Sequence, residues 1–181
     1  MQDLQYNRIM DKTEQEQLNE TIEKKQKALA GYRELAKTNP ALYLPEITAT
    51  LNNLSILYEK AECLKEAETA CFEALEISQK LAQTEPDKYL SEAALMFNNL
   101  GLLQRKSGRY QEAITNYSKA LEIRENLAQK YPDIYTSEVT MTRYYLLLLK
   151  MEANGPDSLT EEELLRFVEN LESDKNNFDL D

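Results

Sequence analysis

Along residues 45–60 the apolar positions Leu51, Leu54 and Tyr58 fall three and four residues apart. That spacing lines one face of a 3.6-residue helix, whereas a half-buried strand would alternate at every second position. A second amphipathic helix is predicted over 66–84, with Ala67, Cys71, Ala74, Leu75 and Leu81 turned inward. Both patterns then return. Phe97, Leu100 and Leu103 copy the first, and Ala113, Tyr117, Ala120, Leu121 and Leu127 copy the second over 112–130, after a turn at Ser107-Gly108-Arg109. Pro86 and Pro132 stand just past the second helix of each pair, where a fixed φ and a missing amide stop helix propagation.

The recurrence is an internal repeat. Pro40, Pro86 and Pro132 are spaced by 46 residues, as are Tyr43, Tyr89 and Tyr135. Residues 40–85 laid over 86–131 without gaps agree at 19 of 46 positions. Chance would give about three, so the chain reads as tandem helical hairpins. Small residues recur where the paired helices must approach, Ser55 and Gly101 on the first, Ala67, Ala74, Ala113 and Ala120 on the second. No hairpin can bury its apolar face alone, so each needs neighbours.

Phe97, Leu100, Gly101, Ala113, Tyr117 and Ala120 have the order and spacing of the tetratricopeptide motif, and the chain resembles that family. Leu51, Leu54, Ser55, Tyr58, Ala67, Cys71 and Ala74 fill the same positions one period earlier. Asn98-Asn99-Leu100-Gly101, Gly108-Arg109-Tyr110 and residues 120–125 are similar to the long repeats of kinesin light chain and its bacterial relatives. The second helix runs about two turns beyond the ordinary unit, which fits that long-repeat subgroup. The resemblance implies an all-α fold, a right-handed superhelical solenoid of antiparallel helix hairpins.

The repeat divides the chain into a partial N-terminal unit (1–39), two full units (40–85 and 86–131), a degenerate C-terminal unit or cap (132–172) and an acidic, disordered tail (173–181). In the first, Leu18, Ile22, Leu29, Tyr32 and Leu35 form the stripe of a long second helix, with Thr13 and Glu16 as its capping box. A separate first helix is faintly suggested over 3–11. In the last, Gly155-Pro156 ends a helix near Ala153, and a short amphipathic helix over 161–171 follows, capped by Ser158 or Thr160. Half of the run from Leu146 to Leu149 is expected to pack beneath that short helix.

Charge and composition narrow the chemistry. The net charge is −11, and −8 of it lies in residues 152–181. Nucleic-acid binding relies on clustered Lys and Arg, so it is not expected. Histidine is absent, which removes the histidine-based catalytic triads and most zinc sites. Cys63 and Cys71 are too few and wrongly spaced for a metal knuckle, and Glu161-Glu162-Glu163 complements a helix dipole. No metal, cofactor or catalytic residue is predicted. No run approaches the roughly 20 apolar residues of a membrane span, and residues 1–17 lack signal-peptide character. The expected location is cytoplasmic.

Function is expected on the first helices, which the resemblance places along a concave groove. Asn52, Asn53 and Ile56 come from one unit, Asn98, Asn99, Leu102 and Arg105 from the next, and Tyr144, Tyr145 and Leu148 from the third. An asparagine both donates and accepts, so it pairs with peptide backbone of any sequence, while the neighbouring apolar residues grip side chains. A structural role for one Asn of each pair, bracing the next helix, is the competing reading. Some relatives clamp a chaperone's terminal carboxylate with Lys and Asn; here Asn52 and Asn98 occupy those positions and Lys is missing. The chain is therefore expected to be a non-catalytic scaffold binding a peptide or partner protein. The alternative is a structural segment that stacks into homo-oligomers or onto the rest of a longer repeat protein.

Overall fold

Prolines begin helices in this chain. Pro40, Pro86 and Pro132 each take the first helical position, where their missing amide would have no intrahelical acceptor and their φ is already helical. They therefore do more than end the preceding helix. The computed structural model describes residues 2–155, 159–163 and 165, with side chains from residue 13 onward. Its helices are α1 (Gln2–Ala36), α2 (Pro40–Lys60), α3 (Leu64–Ala82), α4 (Pro86–Lys106), α5 (Tyr110–Lys130) and α6 (Pro132–Asn154). No strand occurs among the described residues.

The chain divides into two units, Met1–Thr84 with α1–α3 and Glu85–Asp181 with α4–α6. In the first, α2 packs against both α1 and α3; in the second, α5 packs against both α4 and α6.

Helix α2 starts at Pro40, five residues before the expected Pro45. Pro45 itself lies inside α2, and the Ala41 carbonyl it leaves without an intrahelical partner belongs to an exposed residue. The residues before the three prolines, Asn39, Glu85 and Tyr131, share an extended backbone with φ of −139°, −131° and −135°. At Asn39 the side-chain oxygen also accepts from the Leu42 amide at 3.3 Å.

The N-terminal helix departs from expectation. Thr13 and Glu16 lie inside one continuous 35-residue helix, not at a helix start. No glycine or proline precedes Gly31, and the Gln-, Glu- and Lys-rich segment holds helical dihedrals at little cost. A cap residue must leave the helical region, and nothing in this stretch drives it out.

The hairpin cores keep the repeat's register. Leu51, Leu54, Ala67, Cys71 and Ala74 are buried in the first unit, and Phe97, Leu100, Ala113, Tyr117 and Ala120 in the second. A β-carbon on Gly101 would meet the Tyr117 ring at 2.6 Å and the Ala113 carbonyl at 3.3 Å. Only glycine fits there. One period earlier, Ser55 is paired in sequence with the smaller Cys71, and both are buried.

Leu146 and Leu149 of the C-terminal apolar run pack with Ala113 and Tyr117 of α5, while most of the 161–171 segment expected to cover half of that run lies outside the described residues. The two leucines are the one-period copies of Leu100 and Leu103, so the repeat's own core claims them. Of the expected short helix, 161–163 and 165 are helical, and its remainder and the 173–181 tail lie outside the described residues. Thr160 caps it: the Glu163 amide donates to Thr160 Oγ1 at 3.2 Å, and the Thr160 amide returns to the Glu163 carboxylate at 2.9 Å.

Candidate functional site

Within the second unit, two helices present matching faces. On α4, Leu95, Asn99 and Leu102 fall at i, i+4 and i+7; on α6, Met141, Tyr145 and Leu148 do the same one period later. Leu95 is 40% exposed, Met141 43% and Tyr145 43%, while Asn99 and Leu102 are half-buried. Large apolar side chains are thus held at the surface in the same register on two helices.

Two ties organise this face. Arg105 of α4 reaches Glu152 of α6 through two hydrogen bonds, Nε to Oε2 at 2.6 Å and an NH2 contact to Oε1 at 3.0 Å. The pairing holds the Glu152 carboxyl below its ordinary range and raises the Arg105 guanidinium. The rings of Tyr144 and Tyr145 meet edge to face, 5.7 Å apart at 69°.

Asn98 stands beside this surface, and its side-chain oxygen is buried without a hydrogen-bond partner within the chain. A buried unpaired amide oxygen is uncommon, because desolvating it without a donor is costly. In the first unit, α2 carries Asn52 half-buried, and Asn53 and Ile56 exposed, in the register of Asn98, Asn99 and Leu102.

The sequence-derived set therefore divides. Asn98, Asn99, Leu102, Tyr144, Tyr145 and Leu148 occur together in the second unit, Asn52, Asn53 and Ile56 in the first. Arg105, expected to meet a ligand, is already engaged by Glu152. Leu95 and Met141 escaped the sequence reading. Each precedes a chosen residue, Asn99 or Tyr145, by one helical turn, and the two are 46 apart; those facts were a usable signal.

Behind this surface sits a structural ion pair. Arg124 of α5 is buried, with Nε 3.0 Å from Glu138 Oε2, and it donates a hydrogen bond to the Thr142 hydroxyl on α6. Burial lowers the guanidinium's affinity for its proton, and Glu138 opposes that shift. No cluster of three or more metal-ligating groups occurs among the described residues. No helix among them is long and apolar enough to cross a membrane.

Tandem antiparallel helix pairs with a small-residue contact and surface-held first-helix side chains define an all-α helical-repeat protein. Residues 94–127 match the tetratricopeptide repeat family model. Comparison with curated proteins gives no match. Among solved structures, the crystal structure of BtubC (BKLC) from P. vanneervenii shares the fold, with a TM-score of 0.63 at 19% identity over 86% of this chain. The chain spans 57% of the length of that structure. Residues 94–127 thus form a tetratricopeptide repeat, and the chain has a TPR-like helical-repeat fold. Repeats of this family generally mediate protein–protein interaction and act as non-catalytic scaffolds.

Proposed function

We propose that the α4–α6 face of the second unit binds a peptide or a segment of a partner protein, with no chemistry performed on it. One observation carries this reading: Leu95, Met141 and Tyr145 stay exposed in matching register on two repeated helices. Hairpin packing needs the opposite faces and leaves these positions unconstrained. Burying such side chains against a ligand is worth about 25 cal/mol per Å² of apolar area removed from water. Asn98 and Asn99 supply side-chain amides of the kind that pair with peptide backbone. The corresponding positions Asn52, Asn53 and Ile56 give the first unit a similar surface.

A phage-displayed peptide library panned on the protein tests this. The expected result is an enriched consensus whose synthetic peptide loses at least tenfold affinity for Asn98→Ala and for Met141→Ser with Tyr145→Ser, with melting temperatures unchanged. Peptides binding all variants alike, or no enrichment, would overturn it. Sedimentation at several concentrations addresses self-association, and a dimer abolished by the same substitutions would replace the peptide by a second copy.

A further inference from the structure

The outer face of the first unit carries an aromatic side chain that the repeat does not require. Phe72 on α3 is 53% exposed, whereas its neighbours Cys71 and Ala74 are fully buried in the hairpin. One period later those neighbours recur as buried Tyr117 and Ala120, but Ser118 stands in the place of Phe72. Position 72 is thus free of the constraints that fix the core.

Beside it, among α1, α2 and α3, lies a cleft of about 430 Å³. Leu29, Leu51, Leu54 and Ala70 give it an apolar floor. Two bridges from α1 border it. Gln26 donates to the Tyr58 hydroxyl at 2.7 Å, and Arg33 contacts both carboxylate oxygens of Glu73 at 2.6 Å. A more open hollow around Phe72 shares Lys65, Thr69 and Glu73 with the cleft, so the two lie on either side of that ridge of α3. The volume is in the range that accepts large side chains.

The charge around this surface is negative. Glu66, Glu68, Glu73 and Glu76 line the cleft or the hollow, against Lys65 and Arg33. Glu68 and Glu73 are particular to the first repeat, replaced by Ile114 and Lys119 one period on, whereas Glu66 and Glu76 recur as Glu112 and Glu122.

We propose that this face docks a basic amphipathic segment of a partner protein. One large apolar side chain enters the cleft, a second lies on Phe72, and Lys or Arg residues of the segment face Glu66 and Glu76. The assignment is independent of the α4–α6 surface, because every residue it uses belongs to the first unit.

The test uses two fluorescein-labelled helical 14-residue peptides, each with a Leu face and either a Lys or a Glu opposite face, read by fluorescence anisotropy against the whole chain. The Lys peptide is expected to bind saturably, at least tenfold tighter than the Glu peptide, and to weaken as salt rises. Phe72→Ser, which leaves the charge untouched and copies Ser118, should cost tenfold or more, and Glu66→Lys with Glu76→Lys should cost as much. Leu165→Ser, at an exposed apolar position on the other unit that neither surface uses, should change nothing. Equal binding by Phe72→Ser would overturn the proposal, since only the protein's general acidity would then be at work. So would an absence of binding, or Phe72-dependent self-association without peptide binding.

Discussion

The ring of Tyr117 occupies the space that a β-carbon on Gly101 would fill, with its nearest carbon 2.6 Å from that position. The preceding repeat answers the same demand with Ser55 and Cys71, a larger residue on the first helix and a smaller one on the second. The two pairs behave as alternative solutions to one packing problem.

Gly101→Ala should therefore destabilise the second unit by about 1–3 kcal/mol, as overpacking does in close-packed cores. In a Tyr117→Cys background the clash is absent, and the same substitution should be neutral or stabilising by up to about 1 kcal/mol, the helix preference of Ala over Gly. Urea unfolding of the four proteins in a double-mutant cycle measures this change of sign. An equal cost in both backgrounds would rule out the ring as the cause.

The turns between paired helices offer a second comparison. Gly108 has φ of +72°, and Glu62, one period earlier, has φ of +59°. A side chain in the left-handed region costs about 1 kcal/mol, which glycine avoids. Gly108→Ala should lower stability by about 1 kcal/mol. Glu62→Gly should raise it, by less, because glycine also loosens the unfolded chain. Thermal melts followed by circular dichroism at 222 nm would read both.

Glu163 joins a helix cap to an ion pair with Lys150, and its carboxyl is held below its ordinary value of 4.5, chiefly by Lys150 and then by the Thr160 amide. A depressed carboxyl favours the folded state above its unfolded value. Its contribution should be complete above about pH 5 and fade as the pH falls through the lower folded value. Glu163→Gln keeps the capping acceptor but loses the ion pair with Lys150, and should thus cost about 0.2–1 kcal/mol at pH 7. Chemical denaturation at pH 7 and pH 3 should show that difference shrinking in acid; a constant difference would contradict it.

Thr142 uses one hydroxyl twice, accepting from Arg124 and donating to the Glu138 carbonyl at 2.7 Å. Thr142→Val would leave the buried guanidinium short of an acceptor, at a cost of about 1–3 kcal/mol. Arg124→Met removes the buried charge itself, leaves Glu138 partly hydrated, and should cost less. Equilibrium unfolding of the two variants tests that order.

Much of the fold follows from residues that repeat. The 46-residue spacing of Pro40, Pro86 and Pro132 gives the helix order, and Gly101 opposite Tyr117 is anticipated by the recurrence of small residues. The unbroken α1 was hidden because Thr13 and Glu16 carry a capping pattern whose use depends on whether the chain before them is already helical. The site was less readable still. Leu95 and Met141 are spelled like core residues, and only their placement on the helix reveals that they face solvent. Arg105 looks available in sequence because Glu152, its partner, lies 47 residues away.

Asn39, Glu85 and Tyr131 hand the chain into their prolines with nearly the same backbone angles, ψ of 75°, 70° and 65° following similar φ. These joints are local: each is set by one residue and the proline after it. A coding segment for residues 86–131, copied and spliced between Glu85 and Pro86, would meet a familiar junction at both of its ends. Lengthening or shortening by whole periods would require no newly invented linker, whereas a cut inside a helix would have to create its own caps.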